Sequence, residues 1–122
     1  MVVIKSLTEN QALDCIKQGE FGKEVTASNG RVALVFTQSW CPQWASLQRM
    51  IEQLDEKNLD VWLFVYDQSN IFQKFMAFKE NVFGNDQIPY VRYYIAGKHV
   101  GSSNYVARQA FLDQLKAPTR KK

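Results

Sequence analysis

Apolar positions along the chain follow two rhythms, and their alternation predicts an α/β protein. A short apolar run at 2–4 predicts a first strand. Thr8 and Gln11 are spaced as a capping box, so a helix is expected from there to about Lys17, with Ala12, Leu13 and Ile16 turned inward. Gly19 is its expected stop. Residues 21–30 are polar and mixed and end in the turn signal Asn29-Gly30. Residues 32–36 are continuously apolar, as expected of a central strand covered on both faces. Beyond Pro42 the period lengthens. Trp44, Leu47, Ile51 and Leu54 fall on one helical face, and Lys57 and Asn58 are expected to close that helix.

A second buried strand is predicted at 61–66, ending at Asp67. Ser69 is placed to cap the next helix, whose inward stripe is Ile71, Phe75, Phe78 and Val82, widened by Phe72 and Met76. Gly84-Asn85 ends it. Ile88-Pro89 precedes a strand over 90–95, and Ala96-Gly97-Lys98 reads as a tight turn into a partner strand at 98–101. A last helix is expected from about Tyr105, with Asn104 as N-cap and Val106, Phe111, Leu112 and Leu115 facing in. The predicted order is β-α-β-α-β-α-β-β-α. Strands separated by helices imply parallel neighbours, and the final hairpin must be antiparallel, giving a mixed central sheet with helices on both faces.

Composition narrows the class without naming a function. The chain has 122 residues, 46% hydrophobic and 22% charged, which fits one globular domain over 1–117 and a basic tail over 118–122. The net charge of +3 comes partly from that tail, and no basic stripe argues for nucleic acid. Neither a signal peptide nor a membrane-length apolar run is visible, and only Cys15 and Cys41 could pair, so a cytoplasmic protein without a disulfide framework is expected. Cys15 reads as a buried structural thiol. His99 reads as an ordinary strand histidine, Asp67 as a turn former, and Gly97 and Gly101 make no phosphate loop.

The remaining candidate is the stretch Ser39-Trp40-Cys41-Pro42-Gln43-Trp44, at the predicted junction of a buried strand and a helix. With Cys41 at or before the N-cap and Pro42 at the first helical position, the helix dipole and free N–H groups favour a thiolate.

From about Arg31 to Leu115 the sequence resembles the thioredoxin family. The resemblance is carried by the strand at 32–36, Trp40-Cys41 entering a helix, and the strand at 61–66 ending in Asp67-Gln68. Ile88-Pro89, the Gly97 turn, Gly101 and Phe111-Leu112-Asp113 complete it. It implies the thioredoxin fold, a cis bond at Pro89 beside the reactive cysteine, and an Ile88 backbone that pairs with an extended substrate peptide. Trp40, Pro42, Gln43, Trp44, Ile88 and Pro89 become expected substrate-contacting residues, with Cys41 the nucleophile.

Three positions depart from the family. Trp44 stands where the second thiol of Cys-x-x-Cys belongs, Val35 where the family has a buried aspartate, and Leu63 where it has a lysine. Three readings stay open. The first is a monothiol oxidoreductase that needs no cofactor and acts on protein, peptide or glutathione disulfides, with an external thiol to release it. The second is a redox-inactive binding module using Trp40, Trp44 and Pro89. The third, seen in some single-cysteine glutaredoxins, shares an iron–sulfur cluster between chains. A monomer is expected for the first two.

Overall fold

A computed structural model of the chain describes residues 2–116. The expected tail over 118–122 lies outside the described residues. Five strands form one mixed sheet: β1 (Ile4–Ser6), β2 (Arg31–Thr37), β3 (Leu59–Val65), β4 (Tyr90–Ile95) and β5 (Lys98–Ser103). The helices are α1 (Glu9–Gln18), α2 (Lys23–Thr26), α3 (Pro42–Glu52), α4 (Phe72–Asn81) and α5 (Arg108–Gln114), with a 3-10 turn at Tyr66–Gln68. The strand order is β1-β3-β2-β4-β5. The first three strands are parallel, and β4 runs antiparallel to both β2 and β5.

The two faces of the sheet carry separate cores, as period-2 alternation demands. Ala33, Val35, Val61, Val91 and Tyr93 face α3 and α5, where Trp44, Leu47, Ile51, Phe111 and Leu115 cover them. Val32, Leu34, Phe36, Phe64 and Tyr94 face the opposite side, under Ala12 and Cys15 of α1 and Phe75 and Phe78 of α4. Phe36 sits at the centre of that second core, with the rings of Phe21, Phe75, Phe83 and Tyr90 around it. Each such buried aromatic contributes on the order of 2–3 kcal/mol of transfer free energy.

Local signals explain the well-placed elements. Thr8 and Gln11 form both hydrogen bonds of the capping box at α1, and Gly19 ends that helix at φ 84°. The β4–β5 turn places Ala96 and Gly97 at φ 53° and 79°, with the Ala27 side chain 3.3 Å from where a Cβ on residue 97 would stand. Glycine suits that position on both counts.

Several boundaries differ from the sequence pattern. Strand β1 begins at Ile4, because the ladder to β3 starts at the Ile4–Val61 pair, while Val2 only contributes a buried side chain. Residues 21–30 hold the short α2, anchored by buried Phe21, Val25 and Thr26, and four residues are too few to show a helical period. Helix α3 stops at Glu52 rather than near Asn58. The N–H groups of Gln53 and Leu54 reach Met50 and Ile51, and buried Leu54 prolongs the apolar period past the helix. Strand β3 is less buried than its composition suggests: Trp62, Leu63 and Val65 are half-buried, because the three-residue β1 covers little of it.

Ser69 does not cap α4 at its start. Its hydroxyl accepts the Ile71 N–H and donates to Glu9, and the helix begins at Phe72. Val82 lies beyond the helix end and is 59% exposed, so it leaves the inward stripe. Strand β5 continues to Ser103, through a register shift opposite Tyr93 and Tyr94. Asn104 does not cap α5, which starts after Ala107; its side chain is drawn to the Pro89 carbonyl instead.

One polar cluster was not visible in the pattern. Arg92, 7% exposed, donates to Tyr94 at 2.9 Å, Tyr90 at 3.2 Å and Glu20 at 2.7 Å, and lies 3.8 Å from the centre of the Phe83 ring. The ion pair and its hydrogen bonds satisfy a guanidinium that would otherwise be costly to bury.

Candidate active site

The site forms where β2 ends and α3 begins. Cys41 is the N-cap of α3 and Pro42 its first helical residue, a position where proline's missing N–H leaves no bond unmade. The Cys41 N–H donates to the Gln38 carbonyl at 3.1 Å, and its thiol makes no cap hydrogen bond. Cys41 is 6% exposed and packs in the α3-side core with Trp44, at 8%. Pro42 and Gln43 point outward, and Trp40 is 66% exposed.

The loop before Cys41 is held by side chains. Asp67, in the 3-10 turn after β3, accepts the Ser39 N–H at 2.9 Å and the Ser39 hydroxyl at 2.7 Å. Gln38 accepts the Trp40 indole N–H at 2.8 Å and donates to the Tyr66 hydroxyl at 3.3 Å. Asp67 therefore clamps the loop as well as following a strand. Burial pushes the Tyr66 phenol up, so it remains neutral and available to Gln38.

Beneath this loop the sheet is apolar where the resemblance implies charge. Val35 pairs with Leu63 on one side and Val91 on the other, and Val35 and Val91 are fully buried. The two polar positions implied by the family are thus neighbours, and here both are aliphatic. A lone aspartate at position 35 would be an unpaired buried charge.

Ile88 packs against both cores, and Pro89 is buried. The Ile88–Pro89 peptide bond is cis. The structure thus brings Cys41, Trp44 and Ile88 into or against one cluster. The open aromatic surface required by the binding-module reading is reduced, because Trp44 is committed to the core and only Trp40 projects.

Both cysteines are free thiols. Cys15 is fully buried on the opposite face of the sheet, among Ala12, Phe21 and Val25. Burial, with the Glu20 carboxylate adding to it and Arg92 opposing, pushes its thiol up to about 12. It cannot resolve a disulfide formed at Cys41 without crossing the sheet. His99 lies largely exposed on the edge strand β5, and partial desolvation of its ring, with the nearby Arg92 charge, pulls it below the usual histidine range. Among the described residues no group of three or more His, Cys, Asp or Glu side chains could hold a metal ion. No described helix is long and apolar enough to cross a membrane.

No protein-family model matches the sequence, and no curated protein matches it. Solved structures do. A mutant thioredoxin from Halobacterium salinarum superposes with a TM-score of 0.65 at 18% identity, covering 92% of this chain and 87% of that one. A thioredoxin of Arabidopsis thaliana in its oxidized state gives 0.64 at 12% identity, covering 90% and 92%. A buckwheat glutaredoxin–glutathione complex gives 0.54 at 21% identity, covering 89% and 90%. At these identities the likeness establishes the fold: a mixed α/β thioredoxin fold.

Proposed function

We propose, from a thioredoxin fold whose second motif thiol is replaced by Trp44, that Cys41 is the nucleophile of a monothiol thiol–disulfide oxidoreductase. Its substrates are protein or glutathione mixed disulfides. The observation that carries the reading is the placement of Cys41: N-cap of an 11-residue helix, its thiol free of any cap bond, in the core cluster against which Ile88 packs. Unpaired N–H groups and the helix dipole favour negative charge there.

In the reaction, the Cys41 thiolate attacks one sulfur of a substrate disulfide R–S–S–R′. A bond forms between Cys41 Sγ and the R sulfur, the substrate S–S bond breaks, and R′–S⁻ leaves and takes a proton from water. An external thiol then attacks the R sulfur of the mixed disulfide, and Cys41 departs again as thiolate. Val35 and Leu63 offer no proton-transfer group beneath the sulfur, so proton exchange runs through solvent. Trp40 and the backbone edge at Ile88 are the expected substrate contacts. The glutaredoxin neighbour solved with glutathione supports glutathione as one source of the disulfide or of the releasing thiol.

The test is trapping. The native protein is incubated with oxidised cell extract, quenched by alkylation and separated without reductant. Reductant-sensitive adducts located at Cys41 by mass spectrometry, and lost in Cys41→Ser, are expected. A native protein whose Cys41 is recovered entirely as the alkylated monomer contradicts the reading.

A further inference from the structure

Beside the end of β3 the molecule has a cavity of about 290 Å³. It exists because β1 is short. The two strands pair only as far as Ser6 and Leu63, and the Leu7 N–H still reaches the Leu63 carbonyl at 2.8 Å before the chain turns into α1. Strand β3 runs on to Val65 with no strand on that side. Half-buried Leu63 and Val65, with buried Leu7, give the cavity its apolar wall. Ser6 and Gln68 stand at its exposed rim.

One acidic side chain lines this cavity: Glu9, in the first turn of α1. Its Oε2 accepts the Ser69 hydroxyl at 2.7 Å and the Asn70 N–H at 3.0 Å, which fixes the carboxylate in place. Its Oε1 accepts no hydrogen bond among the described residues, and Glu9 belongs to none of their ion pairs. A carboxylate in a first helical turn complements the helix dipole, and the bridge to Ser69 ties α1 to the segment before α4. Neither role uses Oε1. No lysine, arginine or histidine lines the cavity, so its one full charge is negative and its wall is aliphatic. A single carboxylate is a poor donor set for a metal ion, which takes several oxygens. It suits an organic cation, which needs an acceptor for its N–H groups and a wall for its stem.

We propose that this cavity is a binding site for a small primary ammonium compound with a short alkyl stem. The ammonium donates to Glu9 Oε1, with the Ser6 hydroxyl and the Gln68 side-chain carbonyl as further acceptors at the rim. The stem lies against Leu7, Leu63 and Val65. The volume is at the small end of ligand pockets, which run from about 300 to 1,000 Å³. The positive end of α1 opposes a cation, and the rim is open to solvent. Affinity is therefore about millimolar, the scale of a ligand with so few atoms. Occupancy of this cavity requires nothing of Cys41.

The test is an NMR titration of the full chain with n-pentylammonium chloride, with n-pentanol and methylammonium as controls for the charge and the stem. Saturable shifts confined to the amides of 6–9 and 63–69 are expected. Binding should weaken roughly tenfold for n-pentanol, the size of one charge-assisted hydrogen bond lost, and further still for methylammonium, which has no stem to bury. Two variants are titrated in parallel, with the β2 and β5 amides as the control for folding. Glu9→Gln can still accept the Ser69 and Asn70 bonds, and should bind n-pentylammonium no better than n-pentanol. Leu63→Phe fills the cavity while keeping the carboxylate, and should abolish binding. Shifts that do not saturate, or that spread beyond these segments, overturn the site. Equal affinity for n-pentylammonium and n-pentanol, or binding retained at full strength in either variant, overturns it as well. All of these outcomes leave the assignment of Cys41 untouched.

Discussion

Trp44 divides the structural from the binding interpretation, and Trp44→Ala decides between them. A buried tryptophan hides roughly 150–250 Å² of largely apolar surface. At about 25 cal/mol per Å² that is roughly 4–6 kcal/mol. Trp44 is 8% exposed, in the first turn of α3, packed with Leu47, Val35 and Cys41 at one end of its cluster. The end of a core collapses more readily than its centre, so the lower end of the range for such truncations applies, about 3 kcal/mol. Urea unfolding by far-UV circular dichroism reads this directly. With a slope of about 2 kcal/mol/M, the midpoint should fall by about 1.5 M with the slope unchanged. Iodoacetamide should also label Cys41 faster in the variant, because Trp44 is part of what covers the thiol. A loss below about 1 kcal/mol would mean that Trp44 is not core, and would return it to an open peptide-binding surface.

Further outcomes follow from the same geometry. Asp67→Ala releases two bonds to Ser39, so amide exchange at 39–41 should accelerate and stability should fall by about 1–2 kcal/mol in urea. Cys15 gives a pH signature. Its folded thiol sits at about 12 against an ordinary 9.0, so the unfolded chain loses its proton first. Its stabilising effect is whole below pH 9 and is lost as pH rises toward 12, by about 4 kcal/mol in all, and Cys15→Ala should flatten that decline in pH-dependent unfolding. Lys79 acts with the opposite sign. Burial lowers it to about 8 from 10.5, so stability should rise between pH 8 and 10.5 as the folded state sheds the proton, a rise absent in Lys79→Met. Glu20→Gln removes the charge facing Arg92. Because the Glu20 side chain is 38% exposed, solvent screening limits the loss to about 1 kcal/mol by urea midpoint.

What the sequence disclosed follows the range of the forces involved. The capping box at Thr8 and Gln11, the apolar run of β2 and the α3 face bearing Trp44, Leu47 and Ile51 depend on neighbours within a few residues. They were legible for that reason. Cys41 at a helix start was legible too, from Pro42 and the change of period. The bonds that shape the site join distant residues: Ser39 to Asp67, Gln38 to Tyr66, and Asn104 to Pro89. No local rhythm encodes such pairs, so Asp67 looked like a turn former and Asn104 like a helix cap. The same reason hides Arg92, whose carboxylate partner Glu20 is 72 residues away. Val82 and Leu54 show the converse error, in which an apolar residue in phase with a helix lies beyond its end.

The most direct measurement is the rate at which Cys41 forms a mixed disulfide with glutathione disulfide at pH 7, followed by intact mass. It is compared with the same chain unfolded in urea, Cys15→Ala being used in both states so that only one thiol reports. A folded site that presents Cys41 as a nucleophile should react faster than the unfolded chain, despite its 6% exposure, and should release the adduct when reduced glutathione is added. A folded protein that reacts more slowly than the unfolded chain would contradict the assignment of Cys41 as nucleophile.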